Sequence, residues 1–370
     1  MQNEIEIGRN KRGRRTYGLD DVAVVPSRRT RDPEDVSTSW QVDAYHFDIP
    51  IFAAPMDSVM SPETAIQLGQ LGGLGVLDLE GLWTRYENPE PLLTEIARLE
   101  PNDVHGRIRE IYAEPIKPEL IRERITQLRD AGVVAAGSLS PQRTQEHWKS
   151  VVDAGVDIFF IRGTTVSAEH VSGNREPLNL KRFIYELDVP VIVGGCATYT
   201  AALHLMRTGA AGVLVGFGGG ASQTTWETLG ISVPLASAVA DVAAARRDYM
   251  DESGGRYVHV IADGGLGRSG DIVKAIACGA DGLMVGAALA RATEAPGCGF
   301  HWGSEAHHPT MPRGHRVEVG QVAPLEQILF GPGLSADGTT NLVGALRHAM
   351  ATTGYTELKE FQRVEVVTTR

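Results

Sequence analysis

Eight short apolar segments, each followed by a helical pattern, predict a (β/α)8 TIM barrel formed as a single α/β domain. Three observations carry that reading. The segments are continuously apolar rather than alternating, as strands are when a parallel sheet is covered on both faces. They recur with helices between them over about 240 residues, the span such a barrel needs. No G-x-G-x-x-G follows the first segment, and the count of eight favours the barrel over a doubly wound open sheet.

Before the barrel, residues 17–26 read as an extended segment ending at Pro26, and residues 28–40 as polar loop. The first strand is Asp-Ile-Pro-Ile-Phe-Ala-Ala at 48–54. Ser61-Pro62-Glu63 then opens a helix with a serine cap, a proline in the first turn and an acid beside the helix dipole. Gly72-Gly73 closes it, and 74–77 is the second strand. Residues 79–132 are polar and mostly helical in pattern. Strands are then expected at 133–136, 157–161, 189–193, 213–215, 258–262 and 283–285. The helices between them fall at 142–152, 180–187, 199–207, 235–250 and 269–278. From Pro296 the chain reads as a long loop with a final helix at 342–350. The expected division is an N-terminal arm at 1–47, the barrel core at 48–295, and a tail at 296–370.

With 42% hydrophobic and 22% charged residues, the composition is that of a soluble globular chain, and no apolar run is long enough to span a bilayer. The polar, charged N-terminus has no signal-peptide core, so a cytoplasmic protein is expected. A net charge of −11 argues against nucleic acid as the main partner. Arg9, Lys11, Arg12, Arg14 and Arg15 form the one basic cluster, read as a solvated arm or subunit contact. Cys196, Cys278 and Cys298 have neither a disulfide framework nor metal-site spacing.

In a barrel the ligand meets the C-terminal strand ends and the loops after them. Most of the chemistry gathers after strand six, where Gly216-Phe217-Gly218-Gly219-Gly220-Ala221-Ser222-Gln223-Thr224-Thr225 combines backbone amides able to approach a ligand with two hydroxyls. Asp263-Gly264-Gly265 ends strand seven and Gly286-Ala287 ends strand eight. Small residues there would let backbone N–H groups reach a phosphate, although tight βα turns have the same composition. The carboxylate of Asp263 can bond both hydroxyls of a ribose or cap the following helix; its place before Gly-Gly favours the ribose. Met56, at the end of strand one, either packs in the core or lies against a base.

These motifs resemble the IMP dehydrogenase / GMP reductase family over nearly the whole chain. Leu19-Asp20-Asp21-Val22 with Val25-Pro26, Pro50 through Ser58, Gly72 through Val76, Ala262 through Gly265 with Ser269 through Ile272, and Gly344 through Arg347 stand in the family's order. The run at 162–171 and Gly194-Gly195-Cys196 are similar to a short, actinobacterial-type branch. The resemblance implies binding of a purine 5′-monophosphate, with contacts from Met56, Gly220, Ala221, Asp263, Gly264, Gly265, Gly286 and Ala287. It also implies NAD(H) or NADP(H) near Arg162, Gly216 and Gly218, a monovalent cation such as K⁺ at Gly218, Gly220 and Gln223, and a homotetramer.

Four departures from the family qualify what is carried over. Residues 79–132 are too short to hold the family's regulatory CBS pair. Arg162 replaces an aspartate that contacts the cofactor ribose in the dehydrogenases. In place of the mobile flap with its Tyr-Arg pair stands a His-rich segment, from Phe300 to His308 and Pro309, whose histidines read as surface loop residues or a proton relay rather than a metal site. Arg313 is the nearest stand-in for the flap arginine. Most consequentially, Gln223 occupies the position of the catalytic cysteine, and an amide is no nucleophile. Thr225 is retained, and Cys196 is the one thiol expected near the pocket. Three functions follow: an IMP-to-XMP type oxidoreductase with impaired or altered catalysis, a reductase/deaminase of GMP or a purine analogue, or a catalytically silent nucleotide-binding homologue.

Overall fold

A computed structural model describes residues 4–173, 176–307 and 314–369. Eight parallel strands close into one barrel in sequential order. They are Ile51–Ala53, Leu74–Asp78, Ala136–Leu139, Ile158–Arg162, Val191–Cys196, Gly212–Val215, His259–Asp263 and Gly282–Val285. The single-domain (β/α)8 expectation is therefore met. Nearly every residue of these strands is buried, because the barrel interior covers one face and the helices the other.

Helix signals held well. Ser61 caps the helix Pro62–Gln70, its Oγ accepting the Thr64 N–H at 3.1 Å. That helix ends as expected before Gly72, which has a φ of +86°. The third strand is displaced from its expected 133–136 to Ala136–Leu139. Val133 to Ala135 instead form the entry to the strand, where the Ala135 carbonyl accepts the N–H groups of Asp157 and Ile158. Apolar content alone could not separate that approach from the paired strand.

After strand two the chain forms three helices, Glu90–Arg98, Val104–Ile111 and Pro118–Asp130. Leu82, Trp83, Leu93, Ile96, Ile108 and Tyr112 build a small second core there. Trp302 and Ala306 of the tail are part of it, so this insertion anchors the segment that crosses the barrel mouth. The N-terminal arm is a hairpin of Glu4–Gly8 and Lys11–Arg14, and Arg14 pairs with Asp241 at 2.6 Å on the long helix Leu235–Ser253. Among the described residues no helix is long and apolar enough to cross a membrane.

Candidate nucleotide site

A cavity of about 690 Å³ opens over the C-terminal end of the barrel. Met56, Arg162, Gly216, Gly218, Gly220, Ala221, Gln223, Thr225, Asp263, Gly264, Gly265, Gly286 and Ala287 all line it. The strand-end residues selected from sequence thus converge on one place.

Two glycines there are required by geometry. At Gly216 a Cβ would collide with the Asp263 carbonyl, so strands six and seven could not approach as they do. Gly265 has a φ of +71°, in the left-handed region, and a Cβ would stand 3.3 Å from the Gly219 carbonyl oxygen. The loops after strands six and seven are thereby brought together, with Gly264 close against Gly219 and Gly220.

Asp263 does not cap the helix Ser269–Ala277: Arg268 is the capping position, and its N–H donates to Asp271. Instead the Asp263 carboxylate faces Arg162, whose Nε lies 3.3 Å from Oδ2. Glu305 Oε1 stands 3.8 Å from Arg162 Nη1. Burial opposes the charge on this guanidinium, but the two carboxylates outweigh it and raise its pKa. Arg162 also lines a second cavity of about 220 Å³ with Asp78, Glu80, Ser138, Ser140 and Glu305. Asp78 Oδ2 has no hydrogen-bond partner there. Burial, followed by the charges of Asp57 and Glu80, raises the pKa of Asp78 well above its ordinary value.

Gln223 sits in the strand-six loop, its N–H donating to the Gly220 carbonyl at 3.0 Å. Its side-chain Oε1 accepts from Thr225 Oγ1 at 3.4 Å, and Thr225 is fully buried. The loop is tied to the tail by the His315 N–H, which donates to the Ser222 carbonyl at 2.8 Å.

Cys196 does not join this group, which corrects its expected place near the ligand. It is 2% exposed, its thiol faces the Leu214 carbonyl at 3.5 Å, and burial pushes its pKa up to about 12. Ending a strand brought it to the correct level of the barrel, but its side chain packs within the wall. Cys278 is partly buried and Cys298 exposed. No cysteine lines the main cavity.

The His-rich segment also departs from expectation, because His301 is not a surface residue. It is 3% exposed and lines the cavity. Burial, then the nearby Arg162 charge, pushes its pKa down to about 4. His307 stacks on Tyr112 with ring centroids 4.8 Å apart. His308, Pro309 and Arg313 lie outside the described residues. Glu305, Arg268, Arg291 and the stretch Gly18 to Asp21 complete the cavity wall without having been selected as site residues. The aromatic Phe300 and Trp302 flanking His301 were the available signal that this segment is buried. Among the described residues no cluster of His, Cys, Asp or Glu could hold a metal ion.

Comparison with known proteins agrees with the geometry. The model of the IMP dehydrogenase / GMP reductase domain matches residues 16–308. The uncharacterized oxidoreductase of Mycobacterium tuberculosis H37Rv is 51% identical, with 97% of this chain and 98% of that protein aligned. Inosine-5′-monophosphate dehydrogenase of Methanocaldococcus jannaschii is 24% identical, with 94% and 91% covered. The crystal structure of an IMP dehydrogenase/GMP reductase-like protein from Corynebacterium glutamicum superposes with a TM-score of 0.94 at 48% identity, covering 99% of this chain and 98% of that one. The chain belongs to the IMP dehydrogenase / GMP reductase family.

Proposed function

We propose that this barrel binds a purine nucleoside 5′-monophosphate in the main cavity and acts on it as an oxidoreductase without a thiol adduct. The observation that carries the reading is the convergence of Asp263 with the glycines of strands six, seven and eight around one cavity. Backbone amides at Ala221, Gly264, Gly265, Gly286 and Ala287 would take the phosphate, since small residues allow its oxygens close approach. Asp263 would take the ribose hydroxyls, sharing its carboxylate with Arg162. Met56 and Gly220 would border the base.

NAD(H) or NADP(H) is the expected second ligand, entering beside Gly216, Gly218 and Arg162. Two features of the chain suit it. A guanidinium stands between the two cavities, and Trp226, 61% exposed, offers a ring face at the cavity wall. Such a cofactor, when bound, supplies a hydride acceptor or donor. A monovalent cation such as K⁺ would be held by oxygens of Gly218, Gly220 and Gln223. The relatives described as oxidoreductases support the reaction class.

Gln223 and the lack of a cysteine in the cavity wall also favour a second reading, a nucleotide-binding protein without turnover. Gln223 can donate and accept at the purine edge through one amide. Titration with IMP and GMP, followed by turnover assays with each nicotinamide cofactor read from its reduced-form absorbance, separates the readings. Binding with turnover supports the oxidoreductase, while binding alone supports the silent homologue. Absence of binding contradicts both.

A further inference from the structure

His301 enters the cavity from a segment held on both sides. Phe300 pairs with Glu318 in a short antiparallel ladder, and the guanidinium of Arg316 lies 4.3 Å over the Phe300 ring. Trp302 is completely buried, and its Nε1 donates to Tyr112 Oη at 3.1 Å. Tyr112 in turn donates to Asp57 at 2.6 Å.

Ser58, also fully buried, connects this frame to the imidazole. Its Oγ donates to the Trp302 carbonyl at 2.8 Å and accepts the Trp302 N–H at 3.0 Å. His301 Nδ1 lies 3.2 Å from the same oxygen. A hydroxyl carries one proton, and Ser58 has given its proton to the Trp302 carbonyl. The remaining bond can form only if Nδ1 is the donor. In that arrangement the imidazole would be the Nδ1–H tautomer, with the Nε2 lone pair left for an outside donor. That edge of the ring faces the end of strand eight: a Cβ on Gly286 would meet Cε1 at 3.2 Å and Nε2 at 3.4 Å. Among the described residues, the bond at Nδ1 is the ring's only hydrogen bond.

We propose that His301 is a specificity-determining residue whose Nε2 accepts a hydrogen bond from an O–H or N–H group on the sugar or base of the bound nucleotide. The proposal rests on the nucleotide reading of the cavity. The strong lowering of the imidazole pKa agrees with it, because only a neutral ring can accept. The bond to Ser58 aims the ring, and Gly286 leaves it room.

The test compares His301→Asn with His301→Gln. Asparagine can still donate to Ser58 but places no acceptor at Nε2, whereas glutamine can carry a carbonyl oxygen toward the cavity. IMP titrated into the two variants and the wild type should bind about tenfold more weakly to His301→Asn, the loss expected for one hydrogen bond. Glutamine should recover part of that loss, and all three proteins should have similar melting temperatures. Nitrogen NMR of histidine-labelled wild type, assigned by the signal missing from the variants, should show a protonated Nδ1 and a bare Nε2 at neutral pH. Equal IMP affinity for the wild type and His301→Asn, or a proton on Nε2, would overturn the assignment of His301 alone. A wild type that binds no purine monophosphate would overturn the nucleotide reading first, and the proposal with it.

Discussion

Arg162 and Asp263, 101 positions apart in sequence, meet at 3.3 Å between the ends of strands four and seven. The carboxylate read as a ribose ligand is therefore already engaged by a cation. A ribose bound as proposed would share Asp263 with Arg162, and Arg162 has Glu305 as its second partner.

Removing the cation tests this arrangement. Arg162→Gln leaves two largely buried carboxylates without their partner and should lower ligand-free stability by about 1–3 kcal/mol. A bound nucleotide would satisfy Asp263 again, so IMP should raise the melting temperature of the variant more than that of the wild type. The check is thermal melting with and without IMP.

Asp57 and His301 should give opposite pH dependences of stability. Burial, opposed by the bonds from Tyr112 and Leu82 and by the charge of Arg85, raises the Asp57 pKa to about 6. The folded protein thus holds a proton that the unfolded chain has released, and this contribution is lost as pH rises from about 4 to 6. His301 behaves inversely. With its pKa lowered to about 4, the unfolded chain binds the proton first, so stability is gained as pH rises from about 4 to 6.5. Because buried Asp78 adds a second falling contribution, the effect is read against the wild type: Asp57→Asn should make the slope of stability with pH in this window more positive, and His301→Gln should make it more negative. Denaturant midpoints measured across the window would show both slopes.

The fold was legible because barrel strands advertise themselves as short apolar runs, several leading straight into glycine as at Gly163, Gly216, Gly264 and Gly286, and Ser61 with Pro62 carried a cap signal that the structure reproduces. The cavity wall was legible wherever it came from a strand end, as at Asp263, Gly265 and Gly286. Cys196 was misplaced because sequence gives the level of a residue on a strand but not, at a glycine-rich end, which way its side chain turns. His301 and Glu305 reach the site from a tail segment whose docking depends on Trp302 entering a core formed by residues 82–112. That contact spans nearly two hundred residues and has no local periodic signal.

The family's tetrameric assembly is a further expectation. Light scattering coupled to size exclusion should give about four times the 39.8 kDa of the chain. A single-chain mass across micromolar concentrations would count against it.

Restoring a thiol tests the reading of Gln223. Losing a catalytic nucleophile can cost about 10⁶ in rate, so IMP oxidation through a covalent thiol adduct should be negligible in the wild type, and any turnover must run without one. Gln223→Cys, with Thr225 beside it, should yield a burst of hydride transfer approaching one reduced nicotinamide per site. Rapid quench with mass spectrometry would detect the covalent adduct. A fast wild type showing no adduct would mean that the chemistry needs no thiol.

The most direct test of the account is calorimetric titration of IMP into the wild type and Asp263→Ala, with inosine as the control lacking phosphate. IMP should bind the wild type saturably and inosine much more weakly. Removing the Asp263 carboxylate should cost about 1.5–3 kcal/mol of binding, the range for hydrogen bonds to a charged group. Equal affinity of wild type and Asp263→Ala for IMP, or of IMP and inosine for the wild type, would contradict it.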